Sequence, residues 1–184
     1  MRIVGGQHRG KRLSAPPGRD TRPTTDRVRE NLFNILENRI DFFGIQVLDL
    51  FAGSGALGLE ALSRGASFCL FVEHSKKASA VIRQNFASLL VDEQVKLIQR
   101  DATKLGSKER NESFDLVFAD PPYSSGMGEK MAHILIANEW LSNRAIFVLE
   151  EDINSMPQHL PGFSTPDIRN YGQTSIGLFD VLKK

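Results

Sequence analysis

Five short apolar runs, IQVLDLF (45–51), SFCLFVE (67–73), VKLIQRD (95–101), FDLVFADPPY (114–123) and RAIFVLEE (144–151), punctuate the middle of the chain. Runs so brief and so continuously apolar suit strands covered on both faces, as parallel strands are. Among them stand LGLEALSRG (57–65), KKASAVIRQNFASLL (76–90) and MGEKMAHILIANEWL (127–141), which repeat apolar residues at helical steps. The alternation predicts an α/β fold: a mostly parallel sheet with right-handed crossovers and helices on both faces. A further helix is expected at about 25–38, capped by Thr24 or Thr25, where Val28, Leu32, Phe33, Ile35 and Leu36 recur at three- and four-residue steps. DIRNYGQTSIGLFDVLKK (167–184) breaks the alternation, and its two β-prone stretches around Gly-Gln-Thr-Ser predict an antiparallel hairpin.

A chain of 184 residues, 41% hydrophobic, can bury a core without disulfides, so one compact domain is expected over 25–184. Cys69, inside an apolar run, reads as a small buried hydrophobe and suits a reducing cytoplasm. No apolar stretch approaches the roughly 20 residues of a membrane span, and no apolar leader follows the basic N-terminus. A soluble cytoplasmic protein is therefore expected. The net charge of +1 conceals +5 in residues 1–30 against −4 in the rest. Arg2, Arg9, Lys11, Arg12 and Arg19 in the basic arm 1–24 are candidate phosphate contacts, although charge alone leaves a merely solvated arm equally open. His8, His74, His133 and His159 lack ligand spacing, so no metal site is expected. Trp140 and the phenylalanines at strand and helix positions read as core.

Asp49, Glu73, Asp101 and Asp120 each fall at or just beyond the end of a predicted strand, 24, 28 and 19 residues apart. In open α/β sheets that edge is where ligands bind. One such acid could be a helix cap, but four in register point to a site. After the first strand, Gly53, Gly55 and Gly58 spell G-x-G-x-x-G, which lets the chain turn sharply and a ligand approach closely. Three readings remain. A dinucleotide site would hold a pyrophosphate at the helix start, with Glu73 on a ribose. A hydrolase would use Ser54 as nucleophile with Asp120 and His159, but would have no use for Asp49. S-adenosylmethionine carries a sulfonium and an amino group, cations that favour the acid at Asp49.

Asp120-Pro121-Pro122-Tyr123 leaves the fourth strand in a direction its prolines fix. A strand-ending turn with a packing tyrosine is the plain alternative. For transfer to a base amine, the Asp120 carboxylate and the Pro121 carbonyl can each accept an N–H and aim the nitrogen lone pair. Pro122 keeps the turn rigid, and Tyr123 can stack on the base, worth about 1–3 kcal/mol. Most of the rate would come from proximity and alignment.

DLFAGSG, Glu73, the RDA at 100–102 and DPPY together resemble the class I methyltransferases of the amino-group type. RIVGGQHRGKRL and RPTTDRVRENLFNIL resemble more narrowly the bacterial 16S rRNA guanine-N2 methyltransferases of the RsmD type, and the likeness runs from residue 2 to YGQT at 171–174. The resemblance implies a Rossmann-like seven-stranded sheet whose sixth and seventh strands are antiparallel. It implies S-adenosylmethionine as cofactor, with Glu73 on the ribose, Asp101 and Ala102 on the adenine, and Gly53-Ser54-Gly55 against the methionine portion. Asp49, Phe51, His74 and Asp120 would complete that site, and Arg22, Thr24 and Thr25 would close over it. It also implies one guanine of 16S rRNA, in an assembling or assembled small subunit, as substrate, with the basic arm on phosphates. DNA adenine-N6 and protein-amide methyltransferases share DPPY, and an NAD-binding oxidoreductase is the alternative from another class.

Overall fold

The computed structural model describes residues 1–16, 26–108, 113–122 and 126–182. Within them the order is α1 (Asp26–Glu37), β1 (Gln46–Leu50), α2 (Ala56–Ser63), β2 (Phe68–Val72), α3 (Lys76–Leu89), β3 (Val95–Ile98), β4 (Phe114–Ala119), α4 (Met127–Ala137), β5 (Leu141–Asp152), β6 (Asp167–Tyr171) and β7 (Thr174–Asp180). The described residues form a seven-stranded sheet ordered β3-β2-β1-β4-β5-β7-β6. Its first five strands pair in parallel, and β7 runs antiparallel to both β5 and β6.

Alternation along the strands divides the core between the two faces. Val47, Phe71, Phe118, Ile146 and Val148 meet α1, α2 and α3 through Leu32, Phe33, Leu59, Ile82 and Phe86. Leu48, Leu70, Val117, Phe147 and Leu149 meet Met131, Ala132 and Leu135 of α4. Cys69 and Trp140 are buried as expected. The predicted hairpin forms with a tighter turn, Gly172-Gln173, because Thr174 and Ser175 already pair in β7.

Two boundaries differ from the sequence reading. The helix expected to reach residue 141 stops at Ala137, and Glu139 turns left-handed at φ 57°. Trp140 then stacks on Phe114 at 5.8 Å and donates its indole N–H to the Gly106 carbonyl at 2.9 Å. Burial of that ring at the sheet outweighs another helical turn, so β5 starts at Leu141 rather than Arg144. The third strand ends at Ile98, short of residue 101, although the Glu73 N–H to the Ile98 carbonyl and the Arg100 N–H to the Glu73 carbonyl, both 3.1 Å, still tie the next residues to the end of β2.

Residues 1–14 are docked on the helices. Ile3 and Leu13 join the core, and Arg2 bridges Arg12. The organising group is Glu60 of α2, fully buried. Its carboxylate accepts the N–H of Val4 at 2.8 Å and Gly5 at 2.7 Å, and the Arg64 Nε at 2.9 Å, with Arg29 Nε at 3.8 Å. Arg29, also buried, reaches Asp26 at 3.0 Å and the Arg2 carbonyl, while Arg64 lies 5.0 Å over the Phe33 ring. Removing Glu60 would leave the buried side chains of Arg29 and Arg64 only their more exposed partners, Asp26 and Glu37, and the Val4 and Gly5 N–H groups no acceptor. Glu60→Ala is expected to lower stability by about 3–5 kcal/mol in urea unfolding, and to strip hydrogen-exchange protection from the Val4 and Gly5 amides.

Candidate active site

Register brings the acids together. Leu50 pairs with Val72 and Ala119, and Val72 with Ile98, so Phe51, Glu73 and Asp120 leave the sheet side by side. Asp49 lies two residues deeper, within β1, and Asp101 lies on the turn beyond β3. β1 also sits where strand order reverses, with β2 on one side and β4 on the other, which opens a crevice at this edge.

The first loop is wound tightly. Phe51, Gly53 and Gly55 have φ of 58°, 58° and 78°, a left-handed conformation that glycine tolerates and phenylalanine adopts only when its surroundings impose it. Phe51 is held there by packing on the α4 side of the core. Gly58 serves packing instead: a Cβ there would lie 2.5 Å from the Phe71 ring and 2.6 Å from the Cys69 sulfur.

Glu73 ties this loop to the next. Its Oε2 accepts the Gly53 N–H at 2.8 Å and its Oε1 accepts the Ser75 N–H at 2.7 Å. An ionised carboxylate has about four acceptor sites, so capacity remains for ligand hydroxyls. Asp49 accepts the Gly58 N–H at 2.9 Å. Burial pushes its carboxyl up to about 8, the Gly58 bond opposes that, and the charge of Glu73 reinforces it. Asp101, half-buried, is held below the usual carboxylate range by the Thr103 hydroxyl and N–H, at 2.8 and 2.9 Å. Ala102 beside it is buried, and His74 beside Glu73 is exposed.

Asp120 and Pro122 are exposed at the end of β4, and Pro121 is buried between them. Ser54 is buried, its hydroxyl 3.2 Å from the Met1 sulfur. Arg2, Arg9, Lys11 and Arg12 are exposed on the docked N-terminal segment, with Arg2 paired to Asp26 at 3.2 Å. Arg19, Arg22, Thr24, Thr25 and Tyr123 lie outside the described residues. Sequence reasoning passed over Asn85, a buried amide bonded to the Ser54 carbonyl; its signal is a polar residue in the apolar stripe Ile82, Phe86, Leu89 of α3. Among the described residues no group of three or more His, Cys, Asp or Glu could hold a metal ion, and no helix is long and apolar enough to cross a membrane.

Two nearly buried carboxylates beside a left-handed glycine loop fit a ligand with a cationic centre and ribose hydroxyls. Among the described residues Asp49 has no ion-pair partner, so a bound cation would offset the cost of its charge. The sheet order and this edge are those of the class I methyltransferase fold.

The comparisons agree with that class. The family described as "Conserved hypothetical protein 95" matches residues 1–180, and the chain belongs to it. Ribosomal RNA small subunit methyltransferase D of Escherichia coli K12 is 37% identical over 180 residues, 97% of this chain and 89% of the relative. The Haemophilus influenzae protein of the same name is 36% identical over 154 residues, 83% of this chain and 79% of that one. The solved structure of Escherichia coli yhhF is 36% identical, with a TM-score of 0.88 and coverage of 100% of this chain and 99% of the other.

Because the folded-state pKa of Asp49 is raised above its unfolded value, the native state binds the extra proton between about pH 4 and about pH 8. The stability contributed by the neutral carboxyl is present below that window and lost as pH rises through it. Thermal unfolding of the ligand-free protein from pH 5 to 8 is expected to show stability falling more steeply in wild type than in Asp49→Asn. Equal slopes would mean that Asp49 titrates normally.

Proposed function

We propose that the protein transfers a methyl group from S-adenosylmethionine to the exocyclic N2 amine of a specific guanine in 16S rRNA, within an assembling or assembled small ribosomal subunit. The observation that carries this reading is the emergence of Asp120-Pro121 level with Glu73 and the glycine loop, in a chain 37% identical to small subunit methyltransferase D over nearly its whole length.

The cofactor, when bound, supplies a methyl group already activated on a sulfonium. The chain's own contribution is to hold and orient. Glu73 binds the ribose hydroxyls with the acceptor sites its two backbone bonds leave. Asp101 and Ala102 meet the adenine, and Asp49, Phe51, His74 and the Gly53-Ser54-Gly55 loop surround the rest. Arg22, Thr24 and Thr25 cover it. At the other substrate, guanine N2 is a poor nucleophile because its lone pair is delocalised into the ring. Asp120 and the Pro121 carbonyl each accept one of its N–H groups, which favours a tetrahedral nitrogen with its lone pair aimed in line. Pro122 keeps that carbonyl in place, and Tyr123 stacks on the base. Arg2, Arg9, Lys11, Arg12 and Arg19 contact phosphates, so the basic segment 1–24 serves the RNA while 25–184 forms the methyltransferase domain. The work is cytoplasmic and needs no metal.

The test is incorporation of tritiated methyl from S-adenosylmethionine into undermethylated small subunits, naked 16S rRNA and unmethylated DNA. Label in ribosomal material, recovered as N2-methylguanosine, is the expected result, and label confined to DNA or protein would overturn the substrate assignment. Asp120→Ala should lower transfer by about 10²–10⁴-fold while leaving cofactor affinity within a few-fold, since Asp120 acts mainly on the target amine.

A further inference from the structure

Asn85 occupies the buried face of α3 with Ile82, Phe86 and Leu89, and is 1% exposed. Every hydrogen-bonding position of its amide but one lone pair is in use. Oδ1 accepts the Ser14 N–H at 2.9 Å, and Nδ2 donates to the Ser14 carbonyl at 3.1 Å and to the Ser54 carbonyl at 2.9 Å. The reversed amide would set a donor against the Ser14 N–H and an oxygen against two carbonyls, so only this orientation satisfies all three bonds. One side chain thereby grips two backbone segments far apart in sequence. Ser14 is a fixed point of the basic N-terminal segment just ahead of Arg19, Arg22, Thr24 and Thr25. Ser54 is the middle of the glycine loop.

Packing alone does not call for an amide here, since an apolar residue of similar volume would fill the stripe without polar groups to satisfy. Nor is Asn85 needed merely to attach residues 1–14, which Glu60 and Ser63 already hold through Val4, Gly5 and His8. What Asn85 adds is a link between the backbones of segment and loop, beside the weaker contact of the Ser54 hydroxyl with the Met1 sulfur. A ligand that shifts the Ser54 carbonyl draws on the same Nδ2 that bonds Ser14, and at a buried position no water replaces the bond that is lost.

We propose that Asn85 is a positioning residue shared by the two substrate sites. It sets the Ser54 carbonyl for the cofactor and the end of the N-terminal segment for RNA, so that filling either site raises affinity at the other. The RNA half of this inference rests on the proposed phosphate contacts of residues 2–19; the cofactor half does not.

The test uses the full chain with Asn85→Asp, which keeps the shape but loses both donors. Asn85→Ala deletes them without adding a charge and keeps the test open if Asn85→Asp is unstable. Ser63→Ala is the control, because Ser63 bonds the same segment through the His8 N–H and the Gly5 carbonyl and has no hydrogen bond to the glycine loop among the described residues. For folded wild type, S-adenosylhomocysteine is expected to tighten binding to undermethylated small subunits by about five-fold or more, and the subunits to tighten S-adenosylhomocysteine by the same factor. Both Asn85 variants should raise the KM for S-adenosylmethionine and the Kd for S-adenosylhomocysteine about ten-fold, leave kcat at saturation within about two-fold, and bring the coupling factor to about 1. Ser63→Ala should weaken subunit binding while keeping cofactor affinity and coupling. Unchanged cofactor affinity in both Asn85 variants, or a wild-type coupling factor of 1, would overturn the inference. If wild type neither binds nor methylates small subunits, the substrate proposal fails, and the cofactor constants of the Asn85 variants still decide the loop half.

Discussion

β1 hydrogen-bonds to β2 on one side and to β4 on the other, and the rest of the site follows from that double pairing. Because side chains repeat every second residue, a slip of one residue in either pair would send Asp49 or Asp120 to the wrong face. The register is held by apolar residues that can face only the core: Leu48 with Leu70 and Val117, and Leu50 with Val72 and Ala119. Hydrophobic burial, indifferent to chemistry, thus fixes where the carboxylates stand. Glu73 then adds a polar tie, its two backbone bonds fastening the glycine loop to the start of α3.

Charge is arranged on opposite principles at two neighbouring buried carboxylates, Asp49, which bonds the Gly58 N–H, and Glu60, two residues further along α2. At the ligand edge Asp49 is buried without a cation among the described residues, a cost that a cationic ligand would offset. At Glu60 the charges are paired within the fold, through Arg29 and Arg64, and satisfied further by backbone N–H groups. The first arrangement leaves the site ready for a partner. The second turns residues 1–14 into part of the body, so basic side chains such as Arg9 and Lys11 stand exposed on an ordered support.

Much of this was legible in the sequence because the signals were local and redundant. Apolar runs such as SFCLFVE can hardly be anything but covered strands, and a strand-end acid followed by glycines has few uses. The end of α4 was not legible, because Trp140 continues an apolar pattern whose period cannot say whether the ring packs on a helix or on the sheet. Glu60 and Asn85 were also missed. Glu60 sits on the nearly buried helix α2 and Asn85 in the apolar stripe of α3, and the backbone groups that explain them, at Val4, Gly5, Ser14 and Ser54, lie more than thirty residues away. The positions of Asp49 and Glu73 were readable, but the raised pKa of Asp49 was not, since it follows first from burial and is only partly opposed by the Gly58 amide.

The placement of β7 bears on how the chain is made. Residues 174–180 are synthesised after every other strand, yet β7 lies between β5 and β6. Until they emerge from the ribosome, the growing sheet stops at β5, whose Ile146–Asp152 backbone stands without the neighbour it will pair with. β6, already outside, has no place to dock, because β7 is the strand that joins it to the sheet. Such an open edge is a template for another chain. The nascent protein therefore passes through an aggregation-prone interval that closes only with its final strand.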